Sequence, residues 1–131
     1  MLKILIVLIT FVLMFQPHVM GEEKVIIAVA SDGETLKAAV SHVAARCPYF
    51  LIVDSKGKLL EAVENPYKDT RGGAGVSAAN FLAEKNVTIV IAGNFGNKMI
   101  DALKAQEIAH FEFEGTAEKA IRKILEKEGR R

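Results

Sequence analysis

A single cysteine, Cys47, occurs among the 131 residues. One cysteine excludes an internal disulfide and any zinc site built on paired CxxC motifs. Tryptophan is absent, which weakens the case for a base-stacking platform. An excess of one charge is missing too: 17 basic and 16 acidic residues leave a formal net charge of +1. A nucleic-acid binder carries a broad basic face, so no nucleic-acid partner is expected. Neither GxxxxGK[ST] nor GxGxxG occurs, which removes the common phosphate-loop fingerprints.

What is present suits one globular domain. Half of the residues are hydrophobic and a quarter are charged, which is not the composition of a disordered chain. The first residues differ in kind. Leu2 to Phe15 are apolar except for Lys3 and Thr10. This run falls short of the roughly 20 residues a membrane span needs. A lysine before a short apolar stretch suits a signal peptide or anchor, although His18-Val19-Met20 lacks the small residues of a cleavage site. A start upstream of the true one, at Met20-Gly21, and an extra packed element are the other readings. Residues 1–21 are therefore set apart as a leader, and residues 22–131 are taken as the domain. The expected location is cytoplasmic. Export or a membrane anchor becomes the alternative if the leader is retained.

The domain reads as strands and helices in a definite order. Lys24–Ala30 is a continuous β-rich apolar run, as expected of a central strand buried on both faces. Glu34 to Arg46 is a connection with one short helix at most, broken before Pro48. Tyr49–Asp54 and Lys58–Glu64 form a hairpin across Ser55-Lys56-Gly57. A polar loop, Asn65 to Gly75, precedes a helix over Val76–Lys85 with Val76, Ala79, Leu82 and Ala83 inward. Asn86 suits its end. Val87–Ala92 is a second buried strand. The next helix turns Met99, Ile100 and Leu103 inward, and Ile108–Phe113 alternates like a half-exposed strand. Thr116 is the expected N-cap of the last helix, whose stripe is Ala117, Ala120, Ile121, Ile124 and Leu125. With right-handed crossovers and the most apolar strands central, the order β-β-β-α-β-α-β-α predicts an α/β fold. It is a ribonuclease-H-like three-layer α/β/α arrangement with a mixed five-stranded sheet, order 3-2-1-4-5.

That topology gathers the unusual segments on one rim, at the carboxyl ends of the parallel strands, where open α/β sheets bind ligands. Ser31-Asp32, His42, Cys47, Asn65, Arg71-Gly72-Gly73 with Gly75, and Gly93-Asn94 with Gly96 all fall there. Two glycine-rich turns open helices, and helix starts favour anions. Arg71 and Lys98 add positive charge. Glycine before a helix also serves plain turn geometry. Cys47 and His42 are soft metal-ligand types, yet a lone cysteine also serves as a small buried hydrophobe. Two ligands do not close a zinc site. They suit a preassembled cluster that brings most of its own coordination, with the Cys47 thiolate as the natural anchor for iron. Catalytic sets are sparse. A two-metal nuclease needs strand-end carboxylates, and only Asp32 qualifies. Ser31, His42 and Asp32 lack the nucleophile elbow that would support a triad. A binding protein is expected, not an enzyme.

Several loop motifs are familiar. They are Val40-Ser41-His42 through Cys47-Pro48-Tyr49-Phe50, Glu64-Asn65-Pro66, Gly72-Gly73-Ala74-Gly75, Ile91-Ala92-Gly93-Asn94-Phe95-Gly96 and Glu114-Gly115-Thr116. From Lys24 to Leu125 the chain resembles the dinitrogenase iron–molybdenum cofactor biosynthesis family, the NifX-like and NifB C-terminal-like domains. Many relatives have a histidine near the glycine-rich loop, where this chain has Thr70-Arg71. The resemblance implies a carrier for an iron–sulfur or iron–molybdenum-type cluster, or its precursor. It implies metal-cluster donor and acceptor proteins as partners, and a nitrogenase accessory role. A monomer or weak dimer is expected. The alternative is a metal-free anion- or nucleotide-binding regulatory module on the same fold.

Overall fold

The computed structural model describes residues 24–129, so the expectations for the leader lie outside the described residues. Among the described residues, no helix is long and apolar enough to cross a membrane. The strands are β1 (Ile27–Ser31), β2 (Tyr49–Val53), β3 (Leu59–Glu64), β4 (Ile89–Ala92) and β5 (Ala109–Glu112). The helices are α1 (Ala74–Glu84), α2 (Asn97–Ala105) and α3 (Ala117–Glu128). The sheet order is β3-β2-β1-β4-β5, the order expected. β1 and β4 are adjacent, parallel and central, with Val29 opposite Ile91. β4 and β5 are parallel, while β2 runs antiparallel to both β1 and β3.

Alternation along the central strands divides the core. Ala28, Ala30, Phe50, Ile52, Val90 and Ala92 face one side, packed with Ala78, Ala79, Leu82, Met99 and Leu103 of α1 and α2. Ile27, Val29, Leu51, Val53, Ile89 and Ile91 face the other, packed with Ala117, Ala120, Ile121 and Ile124 of α3. Strands buried on both faces must be apolar at every position, and β1 and β4 are. The edge strands β3 and β5 are largely exposed. A register shift opposite Ile52 and Val53 leaves Leu60 as an extra residue on β3, and its side chain is exposed. Such a bulge disrupts a free edge and discourages another strand from adding to it.

One local expectation is corrected. α1 starts at Ala74, and its buried stripe is Ala74, Ala78, Ala79 and Leu82. Val76 is 44% exposed. Gly73 in the left-handed conformation (φ 69°) starts the helix there, and packing against Met99 and Leu103 of α2 selects the face that is buried. Asn86 does end this helix, with φ 62°, and the Val87 amide donates back to the Leu82 carbonyl at 3.1 Å. The connection from Glu34 to Arg46 contains no α-helix. Its backbone groups are consumed by the ends of the strands. The Ser41 amide donates to the Ala30 carbonyl at 2.7 Å, the Gly93 amide to the Ser41 carbonyl at 2.8 Å, and the Val40 amide to the Gly115 carbonyl at 2.8 Å. A segment committed to such cross-links has none left for a helix ladder. It lies as a strap over the top of the sheet, bridging Ser31 to Val40, Ala39 to Thr116 and Val43 to Asn94.

Candidate functional site

The strap is the shared wall of three cavities on the rim. Beside the start of α3, a cavity of about 390 Å³ is lined by His42, Gly93, Glu114, Thr116 and Lys119 among others. A second, of about 290 Å³, lies between His42–Arg46 and Asn94–Gly96. A third, of about 310 Å³, lies between Ala45-Arg46, Gly73–Val76 at the start of α1, and Gly96–Met99 at the start of α2. His42 belongs to the first two and Arg46 to the last two, so the three are contiguous.

The third cavity is electrostatically distinct. Neither helix start facing it has a side-chain cap or an acidic residue in its first turn. The start of α3 differs: the Thr116 hydroxyl accepts from the Lys119 amide, and Glu118 lies in the first turn. Uncapped helix starts present N–H groups and the positive ends of two dipoles. Arg46 and Lys98 add two cations, and no carboxylate lines the cleft. Close packing of α1 on α2 brings the starts together. A Cβ on Gly75 would sit 3.0 Å from Met99 Cβ and 3.2 Å from the Met99 amide nitrogen. A larger depression, about 560 Å³, lies at the opposite end of the sheet. It faces the carboxyl ends of the helices and includes Glu107 and Glu128. The dipole argument turns an anion away from that end.

The profile described as dinitrogenase iron-molybdenum cofactor matches residues 23–127. The chain belongs to this family. No protein among the curated sequences matches it. Among solved structures, the apo form of the orange protein from Desulfovibrio gigas is 30% identical, with a TM-score of 0.74, covering 78% of this chain and 88% of that one. A candidate NifB protein from Thermotoga is 35% identical, with a TM-score of 0.67 and the same coverages, 78% and 88%. A candidate dinitrogenase from Methanocaldococcus jannaschii shares the fold at 20% identity, with a TM-score of 0.56, covering 80% of this chain and 91% of that one.

Against this family background, the rim residues separate into three groups. His42, Gly73, Gly75, Gly93, Asn94 and Gly96 line the cavities. Asp32, Arg71 and Gly72 are on or near the surface of the same end but line none of the three. Ser31, Asn65 and Cys47 are interior. The Ser31 hydroxyl donates to the Gly33 carbonyl at 2.7 Å and closes the turn after β1. Asn65 Nδ2 donates to the carbonyls of Ala45 and Cys47 at 2.9 and 3.0 Å, and its Oδ1 accepts from the Tyr67 amide at 3.0 Å. Both side chains bind protein, not ligand.

Cys47 is the principal correction. Its side chain is fully buried in the cluster beneath α1 and α2, and it lines none of the rim cavities. Burial pushes its thiol up to about 12, against weaker lowering by hydrogen bonds with the Ser31 backbone and the Asn65 amide. A protonated, enclosed thiol is a poor iron ligand. Among the described residues, no group of three or more His, Cys, Asp or Glu side chains could hold a metal ion. The pair His42 and Cys47 is therefore divided between solvent and core. Folded protein should resist alkylation by iodoacetamide at pH 8 and react stoichiometrically in denaturant; rapid labelling of the native state would show the thiol to be accessible. The pH dependence has a definite sign. The unfolded thiol ionises from about 9 and the folded one only near 12. Stability is unaffected by this group below pH 9 and falls as pH rises toward 12.

Reading the sequence for chemistry overlooked Arg46 and Asn97 at the cleft, and Lys119 beside His42. Arg46 sits one residue before Cys47, in a segment with no local pattern that marks it. The available signal was its place in the connection that topology carries over the rim.

Proposed function

We propose that this chain is a carrier for an anionic metal–sulfur cluster of the iron–molybdenum-cofactor type, or a precursor of one, held in the cleft between α1 and α2. One observation carries the reading: two uncapped helix starts, Arg46 and Lys98 meet at a single cleft without a carboxylate. At about 310 Å³ the cleft falls at the small end of ligand-site volumes. Family membership over residues 23–127 supports a role connected with that cofactor. The orange protein, 30% identical, was solved in an apo form, which is in keeping with a binding role.

The mode of holding follows from Cys47. With the thiol buried and protonated, the cargo keeps its own complete ligand set, and the protein contributes charge and amide N–H groups. Binding of that kind is reversible, which suits receipt from a donor protein and delivery to an acceptor. A carrier of this design acts by binding, not by catalysing a bond change.

Anaerobic incubation with iron, molybdate and sulfide, then gel filtration, absorption spectroscopy and metal analysis, tests the proposal. Wild type should retain coloured metal with the protein peak. Cys47→Ser should retain as much, provided it folds. Lys98→Glu should lose most of it, by roughly tenfold or more, because a like charge replaces an opposite one. Retention should also fall with rising salt. Colourless, metal-free wild type would remove the carrier reading. Loss in Cys47→Ser with its fold intact would return the thiol to the site.

A further inference from the structure

The loop from Asn65 to Gly73 ends at the start of α1, so its position decides where one wall of the cleft stands. It hangs from the strap at two points. The first is the buried amide of Asn65, bonded to the carbonyls of Ala45 and Cys47. The second is exposed: Arg46 Nη1 donates to the Thr70 carbonyl at 2.7 Å and to the Lys68 carbonyl at 3.1 Å. Both anchors therefore grow from the same few residues of the strap, 18 to 24 positions away in sequence. Arg46 also lines the cleft itself and the cavity beside it. Its Nε and Nη2 make no hydrogen bond within the described residues.

We infer that Arg46 is a positioning residue: it latches the loop through the Lys68 and Thr70 carbonyls, and thereby holds the Gly73 start of α1 in its cargo-receiving place. This rests on the carrier reading for the word cargo; the latch itself does not. The chemistry requires arginine. A guanidinium is a planar fork with five donors, so Nη1 can serve the loop while the remaining donors stay directed elsewhere. Lysine keeps the charge, but its ammonium ends a shorter, unforked chain, so it does not reach the two loop carbonyls and offer donors at the cleft together. The loop has internal bonds of its own, from the Thr70 hydroxyl and amide to the Tyr67 carbonyl. These shape the loop locally without tying it to the strap, and Arg46 is the tie along its exposed half.

Hydrogen exchange by NMR on the full chain without metal tests the latch. The reporting amides are Tyr67, Thr70 and Ser77, whose acceptors are Asn65 Oδ1, the Tyr67 carbonyl and the Gly73 carbonyl. Arg46→Lys and Arg46→Ala should each speed exchange at Thr70 and Ser77 roughly tenfold, as expected for two lost surface hydrogen bonds, while central β1 amides stay unchanged. Metal retention in the incubation described above should then fall in Arg46→Lys although charge is conserved. Unchanged exchange in both variants overturns the latch. Faster exchange with wild-type retention in Arg46→Lys overturns its positioning role. If wild type retains no metal, the carrier reading fails, and exchange alone decides whether Arg46 is a latch.

Discussion

Asn65→Leu is expected to lose about 3–5 kcal/mol of stability, a large share of what a domain of this size possesses. Asn65 is 1% exposed. Its amide satisfies the carbonyls of Ala45 and Cys47, and its Oδ1 satisfies the Tyr67 amide. Leucine has a similar volume, fills the space and leaves three backbone groups without partners. Each buried orphan costs about 1–3 kcal/mol. A drop in Tm on the order of 15 °C should follow. Asn65→Asp separates chemistry from shape. A carboxylate can still accept from Tyr67 but faces two carbonyls with no proton to donate. Its folded-state pKa is then raised above the unfolded value of about 3.9, so the damage is small below that pH and grows as pH rises above it. Denaturant melts at pH 4 and pH 7 should show the larger loss at pH 7. An equal loss at both would mean that the two donated bonds contribute little.

Gly93→Ala should cost about 2–3 kcal/mol, the upper range for overpacking by one methyl group. The added Cβ would lie 2.8 Å from His42 Cα and 3.2 Å from the carbonyl oxygens of His42 and Ser41. All three are backbone atoms, so no side-chain rotation relieves the clash. The strap must lift, and the bond from the Gly93 amide to the Ser41 carbonyl stretches with it. His42 and Arg46 should move together, visible as chemical-shift changes along residues 39–46. Gly96→Ala is the control. Nothing lies within 4 Å of its Cβ position, and its φ of −71° suits alanine. That substitution should cost about 1 kcal/mol or less, the N-cap preference for glycine over alanine without any clash. Equal losses at Gly93 and Gly96 would defeat the close-approach argument.

The sequence reading treated both glycines alike, as parts of a helix-opening turn that either faces an anion or serves plain turn geometry. The structure divides them. Gly93 is a glycine because the strap crosses it, whereas Gly96 opens a helix onto a cleft with free space beside it. A glycine in the sequence marks a close approach or an unusual turn without saying which neighbour arrives. That neighbour, Ser41-His42, is about fifty residues away along the chain. Cys47 shows the same limit for a reactive side chain. Its place at the top of β2 was legible from topology. Whether the sulfur pointed outward or into the layer beneath α1 and α2 depended on packing by residues from both helices.

What the sequence determined alone is the part governed by local periodicity and by apolarity. Continuous apolar runs made β1 and β4 central. The hairpin turn made β2 antiparallel, and the stripe of α3, capped by Thr116, lay as expected. From these, sheet order and the common rim follow, because right-handed crossovers leave few alternatives. The tertiary structure alone decided which rim residues face a cavity. It laid the Glu34–Arg46 connection as a strap over the sheet. It buried Cys47 and Asn65, brought two helix starts together through Gly75 and Met99, and placed Arg46 between loop and cleft. Each of these depends on hydrogen bonds or contacts between segments some 20 to 75 residues apart, and no pattern within a single window of sequence encodes a partner at that distance.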